Sequence, residues 1–157
     1  MQSFKLKAIR IVQLSQSMGA IQPKDLVVMD DIRINVGLTK DLDKANETLS
    51  EKVKSFEAEK AELLEPVKKE FDKASKEMTE EEKQTLRKEL LAKFELDNKK
   101  FLEKNNKEVE KLGETELTIE LSDEKYSNLK EWFEKYSIIQ NINKIVIVEI
   151  RTALGIE

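Results

Sequence analysis

The chain has 157 residues, a net charge of −4, and neither cysteine nor histidine. Disulfides, Cys/His zinc sites, haem ligation through either residue and the usual nucleophile–imidazole designs are therefore excluded. Charged residues make up 38% of the chain, against about 25% in an average globular domain, yet the apolar residues recur with helical spacing, which argues for a folded chain over a disordered one.

The charge is uneven: about +2 over residues 1–37, about −2 over 38–112 and about −4 over 113–157. No segment is basic enough to follow a phosphate backbone, so no nucleic-acid partner is expected. Lys5, Lys7 and Arg10 interrupt any apolar core of a secretory leader. The run Ile145, Val146, Ile147, Val148 is far short of the ~20 apolar residues that span a bilayer. A cytoplasmic protein with no membrane partner is the expectation.

Residues 3–7 alternate polar and apolar, predicting a strand with Phe4 and Leu6 inward. Ala8 to Ser17 reads equally as more strand or as a short helix. Gly19 and Pro23 mark a break. From about Asp25 the period becomes helical. Leu38, Leu42, Ala45, Leu49, Val53, Phe56, Leu63, Leu64, Val67, Phe71, Ala74 and Met78 follow steps of three and four, with Lys60 on the same seam. Leu38, Leu49, Lys60 and Phe71 recur every eleven residues, about 3.67 per turn, which predicts a nearly straight seam. Pro66 lies within this run and predicts a kink without a stop.

Thr79 and Glu82 form a capping box that starts a second helix. Leu86, Leu90, Phe94, Phe101, Val109 and Leu112 lie on one face, and Gly113 ends it. About 33 residues give a helix of about 50 Å. Folding back on the preceding helix is the simplest way to bury so long a seam. Lys60 is expected to snorkel or to pair with Glu95 or Asp97 across the hairpin. Asn98 and Asn105 either set the register between arms or lie exposed at the seam's edge. Glu65–Lys69, Glu89–Lys93, Glu95–Lys99 and Glu103–Lys107 mark solvated faces.

Residues 114–121 alternate again, with Leu117, Ile119 and Leu121 on one side, predicting a half-buried strand. Ser122 caps a third helix bearing Tyr126, Leu129, Trp132, Phe133 and Tyr136. The tail 144–151 favours a strand by its β-branched content; a helix from Ile138 to Leu154 is the rival. Lys5 and Lys7 would face Glu116 and Glu120 if the two strands pair.

The expected fold is α+β, mainly α: a long antiparallel helical hairpin with a small β-sheet and a short third helix at its base. A single domain spans 1–157, with arms at about 25–77 and 79–112 and a base formed by about 1–20 and 114–157. Asp30, Asp31, Asp41 and Asp43 are the candidates for a Mg²⁺ site, with solvated acids as the simpler explanation. Trp132, Phe133 and Tyr136 form the one aromatic cluster. Core packing is the first expectation, and partner binding the alternative, because Trp and Tyr are enriched at interface hot spots.

The order of elements resembles small bacteriophage-encoded proteins of unknown function over about residues 4–136. The likeness rests on the Lys-alternating strand Phe4 to Lys7, then Ala8 and Ile9, the break at Ile21 to Pro23, the charged helical pair, and the junction Leu121 to Glu124. It implies a phage origin, in host cytoplasm or virion, and no activity. The combined reading is a non-enzymatic interaction or assembly protein without cofactor, metal or small-molecule ligand, whose partner is a protein or another copy. A chaperone-like binder of unfolded chains and a small Mg²⁺-dependent enzyme are the alternatives.

Overall fold

The computed structural model describes residues 1–136 and 142–157. Two strands, β1 (Gln2–Lys7) and β2 (Glu116–Leu121), accompany seven α-helices among these residues. The helices are α1 (Ala8–Ala20), α2 (Met29–Ala45), α3 (Glu47–Ala74), α4 (Glu80–Asp97), α5 (Lys99–Gly113), α6 (Asp123–Tyr136) and α7 (Lys144–Leu154). Mainly α with a small antiparallel sheet is thus the class observed. The chain divides into two units, Met1–Ser50 with Lys111–Glu157, and Glu51–Glu110.

In the first unit β1 and β2 pair antiparallel, with Phe4 opposite Ile119, Leu6 opposite Leu117 and Lys7 opposite Glu116. Period-two alternation sends Phe4, Leu6, Ile119 and Leu121 into the core. The outer charges pair two residues off register: Lys5 Nζ lies 3.3 Å from Glu116 and Lys7 Nζ 2.7 Å from Glu114. Exposed pairs of this kind add little stability. The chain then turns directly into α1, where Ile11, Leu14 and Met18 are buried at helical spacing, which resolves the strand-or-helix ambiguity of that segment. They meet Leu38 and Leu42 from α2, Leu129 and Phe133 from α6, and Ile150 and Leu154 from α7 in one core.

The tail is helical, contrary to the strand expected from its β-branched residues. Val146, Ile150 and Leu154 are buried at intervals of four, so the apolar face follows the helix period. Both ends are capped: Asn143 Oδ1 accepts from Ile145 N–H at 3.0 Å, and Gly155 takes φ +65° while Ile156 N–H returns to Arg151 O at 2.9 Å. Tertiary burial with two caps outweighs a weak β preference. Residues 138–141 of the rival helical span lie outside the described residues.

The second unit is a hairpin. Phe56 and Phe101 rings stand 5.8 Å apart, and Arg87 lies 5.3 Å over the Phe71 ring. Lys52 Nζ donates to Asn105 Oδ1 at 2.8 Å and lies 2.6 Å from Glu108. Asn105 is buried, and its amide also donates to Phe101 O, so it ties one arm to the other. The Thr79–Glu82 capping box is complete in both directions. Pro66 lies inside α3, which runs through it without a stop.

Two features depart from the expected continuous arms. The stretch expected as one arm from about 25 is a 3-10 turn (Pro23–Asp25), α2 and α3, and its Leu38 and Leu42 belong to the first unit's core. The second arm is interrupted at Asn98, whose backbone leaves the helical values at φ −108° and ψ 16° while its side chain donates to Phe94 O at 2.9 Å. Of the expected Glu–Lys pairs, Glu65–Lys69 forms at 3.9 Å, while Lys99 turns to Glu103 at 3.8 Å.

The tail's helical assignment is testable by urea unfolding. Ile150→Ala is expected to cost about 2–5 kcal/mol, whereas Ile145→Ala, on the exposed face of α7, stays within about 0.5 kcal/mol. Gly155→Ala is expected to cost about 1 kcal/mol, because the positive φ disfavours a Cβ.

Candidate functional site

The acidic residues considered for Mg²⁺ do not converge. Asp31 accepts from Lys135 Nζ at 2.6 Å and from the Tyr136 hydroxyl at 2.8 Å. Asp41 accepts from Lys125 Nζ at 2.8 Å, and Asp43 from the Ser15 hydroxyl at 2.6 Å. Asp30 lies 3.8 Å from Arg33. No group of three or more potential metal-ligating side chains occurs among the described residues. The contacts of Asp31, Asp41 and Asp43 stitch helices together, while Asp30–Arg33 lies within α2. Asp31 and Asp41 stand ten residues apart on α2, and their partners Lys135 and Lys125 ten apart on α6 in reverse order. Ten helical residues rise about 15 Å, so the two pairs clamp both ends of an antiparallel α2–α6 contact. A third link joins Arg10 to Glu149 at 2.6 Å.

The aromatic cluster lies in the first unit's core. Trp132 is 3% exposed, and Phe133 and Tyr136 are as deeply buried. Trp132 and Tyr136 rings stand 5.3 Å apart, and the Tyr136 hydroxyl accepts from Val27 N–H as it donates to Asp31. Trp132, Phe133 and Tyr136 therefore sit within the core, as the first expectation had it. Trp132 Nε1 is buried without a hydrogen-bond acceptor among the described residues.

The exposed apolar surface of interest is on the hairpin. Between Glu51 and Glu110, the buried apolar side chains are Phe56, Leu90 and Phe94; all the others belong to the first unit. Leu96 is 74% exposed, Leu91 42% and Leu63 39%. Phe56, Lys60, Leu64, Leu91, Leu96 and Leu102 line an open groove of about 740 Å³. A second hollow of about 350 Å³ shares Leu64 and Leu91 and continues to Phe71. The residues of the Asn98 interruption's two flanks, Leu96 and Lys99, both line the larger groove.

Lys60 Nζ sits 6.0 Å from the centroid of the Phe56 ring, a cation–π distance. The expected pairing with Glu95 or Asp97 does not form: among the described residues neither Lys60 nor Glu95 has an ion-pair partner, although both line the groove. The seam pattern did not point to Leu91, Leu96 and Leu102. The signal for Leu91 and Leu102 is the doublets Leu90-Leu91 and Phe101-Leu102, which with Leu63-Leu64 widen the apolar stripe beyond what one partner helix covers, whereas Leu96 belongs to no doublet.

Comparison with protein-family models, curated proteins and solved structures gives no match. No helix of the described residues is long and apolar enough to cross a membrane.

The Asp31 clamp gives a pH-dependent prediction. Hydrogen bonds from Lys135 and then Tyr136 hold the Asp31 carboxyl below its ordinary value. A depressed carboxyl contributes stability above the unfolded-state pKa of about 3.9 and loses it as pH falls towards the folded-state value. Asp31→Asn is expected to lower stability at pH 7 by about 1–2 kcal/mol, the scale of a partly exposed charge-assisted hydrogen bond. Urea titrations should show the gap constant from pH 7 to about 5, then closing below about pH 4.

Proposed function

We propose that this is a non-enzymatic interaction protein whose hairpin, Glu51–Glu110, docks a helical protein segment along its open groove. The observation that carries the reading is the unfinished core of that hairpin, with Leu91 and Leu96 exposed beside Phe56 and Phe94, which are buried. A stripe that serves one partner helix is narrow, whereas a helix in a bundle needs apolar residues over a wider arc. The doublets on both arms supply that wider arc. A role in assembly or in capturing a host factor, the setting implied by the resemblance to phage-encoded proteins, belongs to the same proposal.

A chaperone-like binder is the second reading, favoured by the groove's continuation into a second apolar hollow, which offers length to an extended client. It predicts suppression of aggregation of an unrelated unfolded protein, lost in groove variants. Docking of a folded helix predicts no such suppression.

The test compares capture by the tagged full chain and by Leu91→Glu/Leu96→Glu, with helicity checked by circular dichroism. Docking through the groove predicts a retained protein that the variant loses by at least ~10-fold, as for removal of a hot spot. Equal capture by both proteins would contradict it.

A further inference from the structure

Among the described residues, the groove holds two opposite charges with no partner. Lys60 is half-buried over the Phe56 ring, and Glu95 lines the same groove from the other arm. A positive charge on an apolar seam loses part of its hydration, so an unanswered lysine there is a cost that an incoming carboxylate would offset. The rest of the rim repeats the mixture, with Lys99 beside Glu103. A strongly acidic or strongly basic partner would meet like charges at half of these positions. A partner must therefore carry both signs in the complementary arrangement, with apolar side chains between them to fill the hollow.

The chain itself meets that description. In a twofold, isologous contact the same patch serves both subunits, so a residue i that meets j requires that j meets i. Lys60 and Glu95 are such a pair: one rotation brings each against the other's counterpart and answers both at once. The exposed Leu91 and Leu96 of each hairpin supply apolar bulk for the other's groove. We infer that the occupant of the groove is a second copy of this chain, two hairpins closing a four-helix bundle with reciprocal Lys60–Glu95 pairs. Four helices bury the wide stripe that two leave open. This inference rests on the docking reading above and names its partner.

Sedimentation of the purified full chain over ~1 to ~200 µM, a range covering micromolar affinities, tests it. The expected result is a dimer that Leu91→Glu and Lys60→Glu each weaken by ~10-fold or more, with the Lys60→Glu/Glu95→Lys exchange restoring it. Because the natural chain has no cysteine, an introduced thiol can cross-link only to another copy. A mixture of Lys60→Cys and Glu95→Cys chains should oxidise to a covalent dimer, and a non-associating chain should not. A monomer throughout the range, or a dimer indifferent to all the groove variants, would overturn the inference. A monomer that still captures a different protein through Leu91 and Leu96 overturns self-pairing and leaves groove docking intact. A monomer that captures nothing removes both.

Discussion

Two antiparallel helices bury only the stripe along which they touch, and this constraint governs the second unit. Its buried apolar side chains are Phe56, Leu90 and Phe94, with Phe71 and Phe101 half-covered. The arms are held by a small set of specific contacts: the Phe56–Phe101 rings, Arg87 over Phe71, and Lys52 between Asn105 and Glu108. None of these covers Leu91 or Leu96. A unit of this size normally relies on a larger buried core, a staple or a partner. The hairpin has no disulfide to draw on.

The first unit shows the opposite economy. Strands, α1, α2, α6 and α7 all contribute to one core, and several of its polar groups are assigned to contacts between elements. Asp31 and Asp41 clamp α2 to α6, Ser15 reaches Asp43, and Asn46 donates to Ala8 O at 3.3 Å. Three of the four acids that look available for chemistry in the sequence, Asp31, Asp41 and Asp43, are engaged in holding helices. The aromatic cluster is likewise consumed by packing. On the hairpin, by contrast, exposed apolar area coincides with charges that have no ion-pair partner among the described residues.

Much of this was legible in residue order. Period-two alternation marked both strands, the Thr79–Glu82 box marked the start of α4, and threes and fours marked the seam. These signals are local, so one sequence suffices to read them. The tail misled because β-branched residues favour strands in general, whereas the spacing of Val146, Ile150 and Leu154 and the caps at Asn143 and Gly155 favour a helix here. The Asn98 interruption was hidden because asparagine tolerates a helix interior, as Asn105 does with the same side-chain bond to a carbonyl four residues back. The α2–α6 clamps and the unpaired state of Lys60 depend on residues distant in sequence, which periodicity cannot reach. The groove was half legible: the doublets were visible, but the seam pattern takes Leu90 and Phe101 and leaves out Leu91 and Leu102, and Leu96 stands outside both signals.

Within one chain the hairpin leaves Leu91 and Leu96 uncovered. Hydrogen exchange on dilute full-length protein, then at rising concentration, addresses it directly. Amides around Phe56–Leu64 and Leu91–Leu102 are expected to exchange much faster than those of α1 and α6 when dilute, with protection that rises with concentration. Protection in the hairpin equal to that of α1 and α6 at the lowest concentration, unchanged on concentrating, would contradict it.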